Sequence, residues 1–160
     1  MGSTAGGPPS RADDTRARAS LQLCRVLVAA STGYGAALGP LYDSLGVTVH
    51  ENGIRDFDLA NREALRAAGL PAELVSAASS TDHDAVLRDN TAEALAIVGP
   101  DVGTPVIEMG GAAVFGPILS RVPAPADAVR IFDAVATLVT APHFVELKRN
   151  RTEEPVFRTP

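Results

Sequence analysis

Few residues in this 160-residue chain can do chemistry: one cysteine, Cys24, three histidines, His50, His83 and His143, and two tyrosines, Tyr34 and Tyr42. A single thiol excludes an internal disulfide and a Cys-rich metal site. Cys24 falls between Leu23 and Val26 in the middle of a predicted helix. No helix N-terminus is there to stabilise a thiolate, so it reads as a small, packed, inert side chain. The functional alternative for Cys24 is a disulfide to another chain or a thiol adduct. His50, beside Glu51 and Asn52, is the best placed acid or base near neutral pH. A histidine in such a place is more often a structural or surface residue. Tyr42 lies two helical turns earlier on nearly the same face, so the two could share a cleft. Tyr34, between Gly33 and Gly35, is a freer candidate for substrate contact, and Asn52 stands beside His50. His83 is flanked by Asp82 and Asp84, but adjacent helix residues diverge, which fits a solvated helix start and not a metal cluster. His143 follows a helix-starting proline. Three histidines this far apart form no metal triad by spacing. Gly110-Gly111 joins two apolar runs, so it is no phosphate-binding fingerprint, and no serine nucleophile elbow is present.

The elements that must position these groups follow from periodicity. Residues 1–12 are Gly/Pro/Ser-rich and predict a flexible N-terminal arm. A helix capped at Asp13 or Asp14 is expected to run to about Ala30, with Leu23, Val26, Leu27 and Ala30 on one face and Gly33 and Gly35 ending it. Pro40 suits the first turn of the next helix, in which Leu41, Leu45 and Val49 repeat every four residues. Asn52-Gly53 closes that segment. Asp58 is expected to cap a helix through Leu65, stopped by Gly69. Pro71 opens a short helix and Asp82 a longer one through Val98. The period then changes: Thr104 to Met109, Gly110-Gly111 and Ala112 to Phe115 predict a β-hairpin. Val129, Phe132, Val135 and Val139 line one face of a helix over 125–139. Pro142 is expected to begin a last helix ending in Lys148 and Arg149. The expected fold is therefore α+β and mostly helical: about five helices, a small antiparallel hairpin and two C-terminal helices.

Composition narrows the function classes. Hydrophobic residues make up 46% and charged residues 21% of the chain, which is enough apolar material for one globular core. A net charge of −5 argues against a nucleic-acid binder, since phosphate contacts need clustered Lys and Arg. No apolar run in the sequence reaches the roughly 18 residues of a membrane span, and no signal-peptide pattern opens the chain. A cytoplasmic location without membrane contact is the resulting expectation. The hairpin poses a problem of its own. A lone two-stranded sheet is marginal in water and leaves unpaired edges, so another element must cover or extend it.

Several segments together resemble a known family. They are Pro40-Leu41-Tyr42 with Gly46 and Val49-His50, then Gly69-Leu70-Pro71-Ala72-Glu73-Leu74. Further on come Val102-Gly103-Thr104-Pro105, Phe115-Gly116-Pro117-Ile118-Leu119-Ser120, and Pro142-His143-Phe144-Val145-Glu146-Leu147-Lys148-Arg149 with Arg151-Thr152-Glu153. Their order and spacing are similar to those of DsbA-like thioredoxin-fold oxidoreductases, more narrowly the mycothiol-dependent nitroreductases of actinobacteria. The resemblance implies a helical domain over residues 13–100 set within a thioredoxin half, of which 101–150 would be the remnant, with 151–160 as a tail. It implies a cis Pro105 in the loop that faces the family's thiols. Thr104 and Pro105 would then hold the extended backbone of a ligand, or the loop is an inherited turn that merely starts the strand. The family's Cys-x-x-Cys and its flanking strands have no counterpart here. The chain is thus expected to be truncated at the front, without redox dithiol or cofactor, and the absent strands are those that would pair beside the hairpin.

Three functions follow as expectations. The first is a repurposed non-redox enzyme of secondary metabolism. It would act on a small apolar or phenolic molecule by isomerisation, dehydration or cyclisation, with His50 and Tyr42 catalytic and Tyr34, Asn52, Thr104 and Pro105 in contact with substrate. The second is a non-catalytic partner that completes its sheet with another chain, as a homodimer or with a related subunit, through the hairpin edge. The third is an incomplete chain of a thiol-dependent oxidoreductase.

Overall fold

A computed structural model describes residues 11–156; the arm expected over residues 1–12 lies, but for its last two residues, outside that range. The chain divides into two compact units between Arg88 and Asp89.

The first unit is helical. Helix α1 spans Arg11–Tyr34, so it begins before either aspartate and runs through Gly33. Gly33 is tolerated because it costs only about 1 kcal/mol in a helix interior and the chain stays helical beyond it, through a 3₁₀ turn at Gly35–Ala37 into α2 at Leu38–Gly46. A π-turn, Val47–Glu51, extends α2, and Gly53 at φ 68° ends it. The line of helix from Ala19 to Glu51 is thereby 33 residues long, and by length and composition alone it could cross a bilayer. The signal is the mean hydropathy of a window of 18 residues; an unbroken apolar run does not show it, because glycine, serine and threonine interrupt the apolar residues. Helix α3 spans Phe57–Ala67. Its cap is Asp56, not Asp58: the Asp56 carboxylate accepts from the backbone N–H of Asp58 and Leu59, each at 3.1 Å. Asp58 sits in the first turn instead and pairs with Arg62 at 2.8 Å. Gly69, at φ 68°, reverses the chain, a conformation that favours glycine. Pro71 leads into a 3₁₀ segment, Ala72–Ser79. Helix α4 spans Asp84–Val98, starting two residues later than expected.

The core of this unit is the meeting of three stripes. Val26 and Ala30 of α1, Leu41 and Leu45 of α2, and Ala64 and Leu65 of α3 are buried together with Leu70, Ala77 and Ala78. Each pair is spaced four residues apart or adjacent on one face, as amphipathic helices require. Burying each Leu stabilises by about 1.5–3 kcal/mol. Alanine supplies the rest of the contact surface.

The second unit has a two-stranded antiparallel sheet. Strand β1 is Val106–Met109 and β2 is Ala112–Phe115, paired Val106 to Phe115, Ile107 to Val114, Glu108 to Ala113 and Met109 to Ala112. Gly110 and Gly111 have φ of 62° and 81°. A two-residue turn whose twist matches the strands needs positive φ at both positions, which is why the sequence has two glycines there. Helix α5 spans Pro125–Thr140 with proline in its first turn. Of its expected inward face only Val139 is buried; Val129 and Phe132 are 62% and 58% exposed. The second C-terminal helix is not formed. After α5 the chain turns at His143, φ 69°, and residues 144–152 have no regular structure. Ala141 offers no capping side chain to start a helix at Pro142. The apolar residues that follow, Val145 and Leu147, alternate with charge at a period of two, which suits a strand and not a helix.

Candidate functional site

The segment leading into β1 carries the most distinctive backbone of the chain. The Thr104–Pro105 peptide is cis, as is Gly116–Pro117 just beyond β2. The two loops are joined across the end of the hairpin: the Gly116 N–H donates to the Pro105 carbonyl at 2.8 Å. The Phe115 ring packs close to Gly103, where an added Cβ would lie 3.7 Å from it. Thr104 and Pro105 themselves are exposed. The result is a braced, outward-facing loop.

The tail is fastened to the same unit. The Glu153 carboxylate accepts from the Arg121 guanidinium at 2.7 Å and from the Ser120 hydroxyl at 2.5 Å. These hydrogen bonds hold Glu153 down at about 2, Arg121 contributing most. The Val156 N–H donates to the Ser120 carbonyl at 2.7 Å, giving a short parallel bridge between Arg121 and Val156.

The other residues expected to act lie in the first unit. Tyr42 is on α2, 67% exposed, beside a shallow apolar hollow of about 350 Å³ formed with Leu27, Leu38, Gly39 and Asp43. His50 is exposed in the π-turn and is not part of that hollow's lining. Asn52 caps the π-turn, its N–H donating to the Val47 carbonyl at 2.9 Å. Tyr34 is the last residue of α1 and not a loop residue. The continuation of α1 through Gly33 accounts for the change. Thr104 and Pro105 stand together, Tyr42 stands at the apolar hollow, and His50 and Asn52 share the π-turn end.

Cys24 is half-buried in α1. Burial pushes its thiol above the ordinary value, opposed by a weaker backbone hydrogen bond. Such a thiol holds little thiolate and is a poor nucleophile. His83 and Asp82 line a second, more polar hollow with Glu73 and Ser80.

Sequence reasoning missed one clasp entirely. The Arg25 guanidinium on α1 donates to both carboxylate oxygens of Asp84 at 2.7 and 2.8 Å, and to the Ala78 carbonyl at 3.2 Å. A fork-to-fork pair of this kind is among the stronger charge-assisted contacts. It pins the start of α4 and the end of the 3₁₀ segment to α1, and the guanidinium holds Asp84 below the usual carboxylate range. The partners are 59 residues apart, and nothing in local periodicity announces them.

Helices followed by a cis-proline loop and a Gly-Gly hairpin with a covering helix define a mostly helical α+β protein of thioredoxin-like type. A family model described as mycothiol-dependent nitroreductase Rv2466c, Rv2466c-like, matches residues 12–149. The chain belongs to that family, a DsbA-like thioredoxin-fold family. Membership gives no support to the isomerase, dehydratase or cyclase chemistry that His50 suggested; the family is one of thiol-dependent oxidoreductases. The residues present fit a thiol partner only in part. The exposed Thr104–Pro105 backbone is open to an extended ligand, but thiol–disulfide exchange needs a reactive thiolate, and the desolvated Cys24 does not supply one.

Proposed function

We propose that these residues form the ligand-binding part of a mycothiol-dependent oxidoreductase of the nitroreductase type, and that the dithiol belongs to a further polypeptide segment, in the same or another chain. The observation that carries this reading is the exposed Thr104–Pro105 loop, braced by the Gly116 N–H on the Pro105 carbonyl at 2.8 Å, in a chain whose only thiol, Cys24, is half-buried in mid-helix. In this reading Thr104 and Pro105 hold the extended backbone of a thiol partner. His50, Asn52 and Tyr34 bound the same unit without a chemical step assigned to them. A reducing cytoplasm is the compartment that suits a low-molecular-weight thiol and an unpaired cysteine.

The test is a reduction assay with mycothiol and a simple nitroarene such as nitrobenzoate. The chain alone should give no thiol-dependent turnover, and addition of a thioredoxin-type segment bearing Cys-x-x-Cys should restore it. Turnover by the chain alone would refute the reading. Its loss in Cys24→Ser would identify Cys24 as the redox centre; its persistence there would show that no thiol of this chain is needed.

A further inference from the structure

The second unit is short of core. Between Asp89 and Val156 the only large apolar side chain that is fully buried is Val139, whereas Phe115, Ile118, Leu119, Val122, Val129 and Phe132 are each at least 41% exposed. A unit of this size cannot be stable on one buried valine, so its apolar surface calls for cover.

One segment has the complementary deficiency. Residues 144–152 run between the end of α5 and the Glu153 clasp, anchored at both ends. Val145 and Leu147 are 87% and 80% exposed, the most exposed large apolar residues among those described. They alternate with Glu146 and Lys148, so a strand here would place the apolar pair on one face and the charges on the other. Among the described residues no backbone group from 145 to 152 makes a hydrogen bond, and Lys148, Arg149 and Arg151 have no ion-pair partner. The hairpin has free outer edges, and its one charged residue, Glu108, is exposed and likewise without an ion pair among the described residues.

We infer that residues 144–149 of one copy add as an antiparallel strand to the outer edge of β2 in a second copy, reciprocally, giving a two-fold strand-exchanged dimer. The register follows from the side chains. Setting Lys148 opposite Ala113 extends the row Glu108–Ala113, and the short alanine leaves the lysine ammonium room to reach the Glu108 carboxylate. The same antiparallel register sets Leu147 opposite Val114 and extends the apolar row Ile107–Val114. A parallel strand in that register would set Arg149 on Val114 and break the apolar row. Charge supports a second copy as occupant: the cationic arm belongs to a chain of net charge −5, so two copies attract through the arm while the ion pair fixes alignment more than affinity. The choice of β2's edge rests on the proposed function: the dithiol segment which that reading calls for is taken to pair at the β1 edge beside Pro105, and this leaves β2's edge for the second copy; the dimer itself does not rest on it.

The experiment is sedimentation equilibrium of the whole chain, with oxidative cross-linking of Val114→Cys/Leu147→Cys in a Cys24→Ser background. The expected results are a dimer and a disulfide joining two chains. Val145→Asp/Leu147→Asp should shift the dimer to monomer by at least tenfold in Kd without loss of helical signal, since both side chains are exposed in the single chain. A monomer at all concentrations, a dimer unmoved by the two aspartates, or a disulfide formed within one chain would each overturn the inference. A dimer that the aspartates dissolve but that cross-links through a cysteine at Ile107 and not at Val114 would overturn only the edge, and with it the pairing of the dithiol segment at β1, whereas the reductase assay tests the dithiol reading separately.

Discussion

Replacing Asn61 by leucine should stabilise the first unit. Asn61 lies on α3, one turn before Leu65, and its side chain is fully buried. Neither its amide nitrogen nor its carbonyl oxygen has a hydrogen-bond partner among the described residues. An unsatisfied buried polar group costs about 1–3 kcal/mol, so the amide's two groups together cost about 2–6 kcal/mol. Leucine branches at the same carbon and occupies a similar shape, so the volume change is small. Imperfect fit in a packed core still returns about 1–3 kcal/mol. The expected net gain is therefore about 1–3 kcal/mol, read as an increased urea midpoint with unchanged slope. For a unit of this size each kcal/mol moves Tm by roughly 4–8 °C. Asn61→Ala is the control: it removes the same amide but opens a cavity, and should come out less stable than Asn61→Leu by about 2–4 kcal/mol. The measurement is urea and thermal unfolding followed by circular dichroism at 222 nm. If Asn61→Leu lowers stability by more than about 1 kcal/mol, the amide is hydrogen-bonded in solution, to an ordered water for instance, and the reasoning fails.

Two further outcomes follow from local contacts. Asp56→Ala should cost about 1 kcal/mol in the urea midpoint, because it strips the two N–H groups at the start of α3 of their acceptor; no loss would mean the cap is not formed. Asp84 and Glu153 are both held below the ordinary carboxylate range by guanidinium partners. A depressed carboxyl contributes stability that is present above its unfolded value and is lost as pH falls toward its folded value. Unfolding free energy measured by urea titration should accordingly fall as pH drops below about 5, for Glu153 down to about 2. The double variant Asp84→Asn/Glu153→Gln should flatten that slope, and an unchanged slope would assign the acid sensitivity to other groups.

Much of the scaffold was legible because it depends on contacts between near neighbours in the chain. The spacing of Leu41, Leu45 and Val49 marks a buried helix face, and all three are buried. Gly110-Gly111 marks a hairpin because both positions need positive φ, and Gly69 marks a reversal for the same reason. The residues Val102-Gly103-Thr104-Pro105 carried the family resemblance and coincide with the cis peptide. Where local signals competed, the chain alone was ambiguous. Gly33 and Gly35 suggested a stop, but α1 runs through Gly33 and helical segments continue past Gly35. Asp56 and Asp58 both had capping side chains, and the extended backbone of Asp56 made it the cap.

Sequence by itself determined the mostly helical α+β class, the hairpin and its turn, and the absence of any second thiol within these 160 residues, since each is a matter of residue type or local spacing. Only the tertiary structure decided which residues meet. It paired Arg25 with Asp84 across 59 positions and fastened Glu153 to Ser120 and Arg121. It also left Val145 and Leu147 exposed and without regular structure where a helix was expected. The physical reason is common to all three. Periodicity reports which face of a segment prefers burial, but whether a partner arrives at that face depends on chain closure over tens of residues. The second unit shows the difference most plainly: Val129 and Phe132 have helical core spacing, yet α5 packs on a hairpin of two short strands, and of its expected inward face Val139 alone is buried.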